Sequence, residues 1–274
     1  MVLERFRLDG KAVVVTGAGR GLGQQMALAL AEAGADVVCA ARTPEQIEAT
    51  AEAIRVLPGK DRRAIAVPTD VRDSAKCAEL VQACVDEFGK IDVMLSNAGI
   101  GDARGHSVEF WDVTDDDWRD TLDVNLSSAF YCARAASKAM VDRGEGGVII
   151  NVASGTGLRG NPQGFAYGAA KAGVIAFTKS LAVMLRGHNI RANCIIPGFV
   201  AQRPAAREQE ETFMGARARY FPVQRIGEAW ELGPLAVYLA SDASSYVTGQ
   251  GFIIDGGGLA GGAAPIGFAP EVDA

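Results

Sequence analysis

The feature that most limits how this chain can fold is an alternation running almost end to end. Short, nearly continuous apolar runs alternate with longer stretches that carry apolar residues at helical spacing. The runs are 12–15, 37–41, 64–67, 93–96, 148–152, 192–196 and 252–254, and the helical stretches include 24–33, 44–56, 74–88, 118–143 and 167–186. Runs that are apolar at every position, instead of every second one, belong to strands covered on both faces. Strands joined through helices make right-handed crossovers, and these build a parallel sheet with helices on either side. The seven runs therefore predict a doubly wound α/β fold with a seven-stranded parallel sheet. No linker or repeat interrupts the pattern, so residues 1–274 are read as one domain.

The composition, 49% hydrophobic and 22% charged, excludes general disorder. A net charge of −6 without a basic block argues against nucleic acid or an anionic membrane as the main partner. Glu4, Arg5, Arg7 and Asp9 break up the beginning of the chain, so no secretory signal is expected there. No run of 18 apolar residues could cross a bilayer. These features predict a cytoplasmic protein. The five cysteines (Cys39, Cys77, Cys84, Cys132 and Cys194) form no C-x-x-C pair and read as buried, reduced thiols. Neither of the two histidines, His106 and His188, has metal-ligand spacing, so no metal is expected. Two regions depart from the rhythm. Residues 199–225 are charged and irregular and read as a lid over the substrate, and 257–274 form a Gly/Ala/Pro-rich tail.

Three motifs carry chemistry. The first strand runs into Thr16-Gly17-Ala18-Gly19-Arg20-Gly21-Leu22-Gly23, with a helix expected from about Gln24. Glycines at such a turn let the backbone approach a pyrophosphate at the positive end of a helix, as in dinucleotide-binding folds of the Rossmann type. Those folds use an acidic residue at the end of the second strand to hold a ribose 2′-hydroxyl. Here that place reads Ala40-Ala41-Arg42, and Asp36 lies at the opposite end of the strand. Arg42, joined by Arg20 from the glycine turn, suits a 2′-phosphate, which favours NADP over NAD. The third motif is Tyr167-Gly168-Ala169-Ala170-Lys171, preceded by Ser154 thirteen residues earlier. Four residues make roughly one helical turn, so the Lys171 ammonium can stand beside the Tyr167 phenol and favour its phenolate. Ser154 follows the strand that ends at Val152, at the sheet edge where such folds bind ligands.

Together these motifs resemble the short-chain dehydrogenase/reductase family, over nearly the whole chain from Lys11 to about Gly257. The turn is similar to the family's T-G-x-x-x-G-x-G motif. Ser96-Asn97-Ala98-Gly99 is similar to its N-N-A-G motif, with a serine first. The resemblance implies that Gly17, Gly19, Arg20, Gly21, Leu22 and Gly23 cradle the cofactor, with Asn97, Ala98 and Gly99 beside them. It places Asp70 and Val71 at the adenine, and Pro197, Gly198, Val200 and Gln202 at the nicotinamide. Gln202 stands where many members carry a threonine. Ser154, Tyr167 and Lys171 with Asn125 would form a catalytic tetrad, in which Asn125 helps to hold a proton-relay water and Lys171 also holds the nicotinamide ribose.

The implied reaction is hydride transfer between NADP(H) and a ketone or secondary alcohol, without a metal, in a homotetramer or a dimer. Phe165, Phe213, Met214 and Phe221 are candidates for an apolar substrate wall. Tyr131 and Val183 replace the basic residues expected of reductases that dock an acyl carrier, so an apolar or alicyclic small molecule is the expected substrate. Two other readings are a non-catalytic cofactor sensor or scaffold on the same fold, and a methyltransferase. The serine, tyrosine and lysine weigh against the first, and Arg42 where an acid is needed weighs against the second.

Overall fold

The first strand, β1 (Ala12–Thr16), is buried at every residue. Its side chains go alternately to two separate apolar layers. Val13 and Val15 pack with Met26 and Leu30 of α1 (Gly21–Glu32) and with Ile47 and Ile54 of α2 (Pro44–Arg55). Ala12 and Val14 pack with Leu80 and Cys84 of α3 (Ser74–Phe88) and with Ala136 and Met140 of α5 (Ser128–Arg143). Two covered faces explain a strand with no polar alternation. A computed structural model describes residues 1–59, 62–101, 109–160, 164–202 and 221–260.

The sheet is parallel throughout. Beside β1 lie β2 (Asp36–Ala41), β3 (Ala64–Pro68), β4 (Val93–Ser96), β5 (Gly147–Val152), β6 (Ile190–Pro197) and β9 (Gly251–Ile254), in the order β3-β2-β1-β4-β5-β6-β9. A separate two-stranded ribbon pairs β7 (Val200–Ala201) with β8 (Gly227–Glu228). The remaining helices are α4 (Asp115–Leu122), α6 (Phe165–Met184) and α7 (Gly233–Ala240).

Three departures from the sequence reading have physical causes. Helix α1 begins at Gly21, not Gln24, because the glycine turn itself supplies the first helical residues. The stretch 118–143 is not one helix. A π-helical turn over Asp123–Ser127 separates α4 from α5, and the extra residue turns Asn125 into the interior. Helix α7 has almost no polar side chain to mark a period, since it is wedged against α1; a methyl on Gly233 would stand 2.7 Å from Ala29 Cβ. Coverage on both faces fails at β9, where exposed and half-buried residues alternate.

At the end of the sheet away from the glycine turn, Asp92 is almost wholly buried and braces three elements. It accepts from the Ala12 amide at 2.8 Å and pairs with Arg143 at 3.1 Å and Lys90 at 3.2 Å. The strands are thus pinned at one edge and the opposite edge is left for ligands.

Candidate active site

Strand order reverses between β1 and β4, and the crevice above such a switch point is where open α/β sheets bind ligands. A cleft of about 320 Å³ lies there. Its floor is the turn after β1, where Gly17 and Gly21 have φ of +68° and +57°, a conformation that favours glycine. Gly23 permits the closest approach: a methyl on it would lie 2.2 Å from Gly17 O and 2.4 Å from Asn97 Nδ2. The turns after β1 and β4 are sewn together. Thr16 Oγ1 accepts from the amides of Asn97 (3.0 Å) and Ala98 (3.1 Å), and Asn97 Nδ2 donates to Thr16 O (3.0 Å). Asn97 therefore spends its amide on the scaffold while lining the cleft.

At one side of the cleft stand Arg20, Arg42 and Thr43, and no carboxylate closes β2. Asp70 lines the next wall. Its carboxylate takes a fork from Arg72 (Nη2 at 2.6 Å, Nε at 3.1 Å), which holds it below the usual carboxylate range. A glycine cradle that a Cβ would fill, with two guanidiniums at one end, fits a phosphorylated dinucleotide.

Tyr167 and Lys171 line the other end. Lys171 Nζ lies 5.5 Å from the centroid of the Tyr167 ring and donates to Val152 O at 3.0 Å. The lysine is only 3% exposed, and burial pulls its pKa from 10.5 down to about 8. Asn125 sits behind it. The Asn125 carboxamide accepts from Ile100 N at 3.2 Å and donates to Ile100 O at 2.9 Å and Thr121 O at 3.0 Å. A methyl on Gly99 would stand 2.8 Å from Asn125 Oδ1 and 3.4 Å from Lys171 Nζ, so both groups flank the same glycine.

Ser154 belongs to a second, smaller cavity of about 70 Å³, whereas its neighbours Val152 and Ala153 line the large cleft. The end of β5 is thus the partition between the two. Ser154 Oγ accepts from Thr156 N at 3.3 Å and Thr156 Oγ1 at 3.0 Å, which fixes its rotamer. Pro197, Gly198, Phe199, Phe221 and Leu259 form the apolar part of the small cavity's wall.

A family model described as enoyl-(acyl carrier protein) reductase matches residues 17–258. The 2-dehydro-3-deoxy-D-gluconate 5-dehydrogenase of Escherichia coli is 38% identical over 95% of this chain and all of its own length. The 3-oxoacyl-[acyl-carrier-protein] reductase of Thermotoga maritima is 36% identical over 92% of this chain and 99% of its own. A short-chain type dehydrogenase/reductase structure from Mycobacterium marinum superposes with a TM-score of 0.85 at 36% identity, covering 94% of this chain and 98% of that one. A gluconate 5-dehydrogenase from Burkholderia cenocepacia, in complex with NADP and tartrate, gives a TM-score of 0.84 at 32% identity over 95% of this chain and 99% of its own. The chain belongs to the short-chain dehydrogenase/reductase family.

As a short-chain dehydrogenase/reductase it is an NAD(P)-dependent oxidoreductase acting on CH–OH groups, which sets aside the sensor and methyltransferase readings. Of the residues expected at the cofactor, Gly17, Gly19, Leu22, Gly23, Ala98, Gly99 and Gln202 line the cleft along with those described above. Gly21 lies behind Gln202, with Oε1 3.0 Å from where its Cβ would be. Val200 stands apart from these residues. It is held in β7, where Cγ2 would be 3.2 Å from a methyl on Gly227, and it packs onto the core instead of lining either cavity.

Of the residues expected in the apolar wall, Phe221 lines the small cavity, and Phe165 packs on Phe110 (centroids 5.2 Å) and Trp118 (6.3 Å). Phe213 and Met214, most of the expected lid and residues 261–274 of the tail lie outside the described residues. Sequence reasoning overlooked Thr16 as the clasp between turns, although it opens the quoted motif, and it gave no sign of Arg72, Phe199 or Leu259. All five cysteines are buried thiols. Among the described residues no helix is long and apolar enough to cross a membrane, and no cluster of His, Cys, Asp or Glu could hold a metal.

Proposed function

We propose that this enzyme interconverts a ketone and a secondary alcohol using NADP(H), with Tyr167 as the general acid/base and a substrate whose body is apolar or alicyclic. The observation that carries the reading is the Lys171 ammonium 5.5 Å from the Tyr167 ring, at the far end of the cleft from Arg20 and Arg42. The bound nicotinamide supplies or accepts the hydride. In the reductive direction the Tyr167 hydroxyl gives its proton to the carbonyl oxygen. Ser154 Oγ, held by Thr156, donates a hydrogen bond to that same oxygen and keeps the carbon in place. Lys171 stabilises the phenolate that Tyr167 becomes. Asn125 shares the Cβ side of Gly99 with the lysine and fixes the backbone of Ile100 at the cleft wall. In the oxidative direction the same atoms run in reverse. Phe199, Phe221 and Leu259 support an apolar substrate body.

A turnover screen of ketones and secondary alcohols against NADPH, NADH and their oxidised forms tests this reading. NADPH-dependent reduction of at least one apolar ketone is expected, and no turnover with any pair would overturn it. Arg42→Asp should lower the ratio of kcat/KM for NADPH over NADH by at least about 10-fold, since a charge-assisted phosphate contact is worth roughly 1.5–3 kcal/mol. An unchanged ratio would mean that another group reads the phosphate. The enzyme is further read as a cytoplasmic homotetramer packed through α5, α6 and β9. The exposure of Phe130, Val183, Met184 and Ile253 on these elements supports that assembly, which sedimentation would check.

A further inference from the structure

Among the described residues, Asp70 is the one acid that lines the large cleft. Thr69 N donates to Ala41 O at 2.9 Å, which sets Asp70 next to Arg42 across the ends of β3 and β2. A dinucleotide whose 2′-phosphate is held by Arg42 therefore brings its adenosine half to Asp70. The adenine of such a cofactor has one N–H donor, its 6-amino group, and a carboxylate in the wall is the acceptor that would read it.

That carboxylate is already engaged by Arg72, a residue that does not itself line the cleft. Arg72 N donates to Oδ1 at 3.1 Å, Nη2 donates to Oδ2 at 2.6 Å, and Nε is shared between the two oxygens at 3.1 Å each. The turn fixes both partners. Asp73 N donates to Asp70 O at 3.1 Å, and Asp73 in turn caps α3 by accepting from Ala75 N at 2.8 Å and Lys76 N at 3.3 Å. The charges of Asp120 and Asp123 act on the same guanidinium and favour its staying there. A guanidinium fork on a carboxylate is roughly twice as strong as a bond from a neutral donor, so a neutral amino group does not displace it.

We propose that Arg72 determines how the cofactor's base is read: by occupying Asp70 it leaves the 6-amino group without a strong acceptor, so the enzyme binds a dinucleotide carrying a purine without that group nearly as tightly as NADPH. This deepens, and rests on, the NADP(H) reading above. Affinity then resides in the phosphates, which meet Arg20, Arg42 and the glycine turn, and little of it in the identity of the base.

The test compares NADPH with its analogue carrying unsubstituted purine in place of adenine, which keeps the ring nitrogens and loses only the amino group. Both are titrated into the enzyme and followed by the nicotinamide fluorescence they share. For the wild type the two dissociation constants should agree within about 3-fold, the scale of a weak neutral contact. Arg72→Met frees the carboxylate, and NADPH should then bind at least about 10-fold more tightly than the analogue, as a bond to a charged acceptor requires. Arg72→Lys keeps the charge but not the fork and should fall between the two. In the double variant Asp70→Ala/Arg72→Met the ratio should return to within about 3-fold, which ties the gain to the carboxylate and not to a shifted turn. The ion pair is partly exposed, so its loss costs the fold little. A wild-type ratio of about 10 or more, no rise in Arg72→Met, or a rise that survives Asp70→Ala would each overturn the assignment. The two readings fail separately. An enzyme that does not bind NADPH sinks the cofactor reading and this proposal with it, whereas NADPH binding with strong discrimination against the analogue in the wild type sinks this proposal alone.

Discussion

Tyr167→Phe is expected to lower kcat by at least about 100-fold while leaving NADPH affinity within a few fold, the effect of losing a general acid. The substitution removes one oxygen and keeps the ring, so the packing of α6 is not disturbed. Lys171 would still lie 5.5 Å from the ring centroid and still donate to Val152 O. The cofactor cradle is built from the turns after β1, β2 and β4 and touches Tyr167 only at its far end. Binding and chemistry should therefore separate, with fluorescence titration reading the first and single-turnover kinetics the second. A variant that keeps more than about a tenth of wild-type kcat would show that another group moves the proton.

Lys171→Met should do two opposite things: cut turnover by at least about 100-fold and stabilise the cofactor-free fold. The lysine has an ordinary pKa of 10.5 and is held at about 8 by burial, so the native state resists the proton that the unfolded chain accepts. Between about pH 8 and 10.5 the unfolded state therefore binds more protons than the native one, and stability rises with pH across that window. Below about pH 8 both states are protonated and the full penalty applies, roughly 3 kcal/mol from the size of the shift. Methionine removes this penalty but leaves Val152 O without its donor, a loss of about 1 kcal/mol. The net expectation near pH 7 is a gain of about 2 kcal/mol, seen as a melting temperature several degrees higher. The difference between variant and wild type should shrink as pH rises from 7.5 to 9.5. A variant less stable than wild type at every pH, by a constant amount, would show that the buried ammonium is not under strain. On the proposed mechanism the same burial sets a limit, because the Lys171 charge assigned to favour the Tyr167 phenolate is itself lost as pH rises through about 8.

How much of this was legible in the sequence depended on the range of each interaction. The glycine turn could be read directly. Gly17 and Gly21 need their conformation wherever the chain goes, and Gly23 closes on Gly17 O within the same turn. The placing of Lys171 beside Tyr167 was equally local, because one helical turn brings them together. Arg42 at the end of β2 followed from counting along a strand. The helix break at Asn125 was not legible. Its carboxamide is turned inward by a π-helical turn whose partner, Ile100, arrives from the loop after β4. Nor was the packing of Phe165 legible, because Phe110 and Trp118, which lie against its ring, come from another part of the chain.

The sequence by itself determined the layered parallel sheet, the glycine turn after the first strand and the phenol–ammonium pair, since apolar periodicity and contacts within one turn depend only on neighbouring residues. Only the tertiary structure decided that the strand end after Val152 divides two cavities, that Arg159 and Asp255 share the smaller one, and that Lys171 is buried deeply enough to lose much of its basicity. Burial and the meeting of distant loops are properties of the packed chain: the free energy of a charge depends on what surrounds it in space, and that is set by segments far away along the backbone.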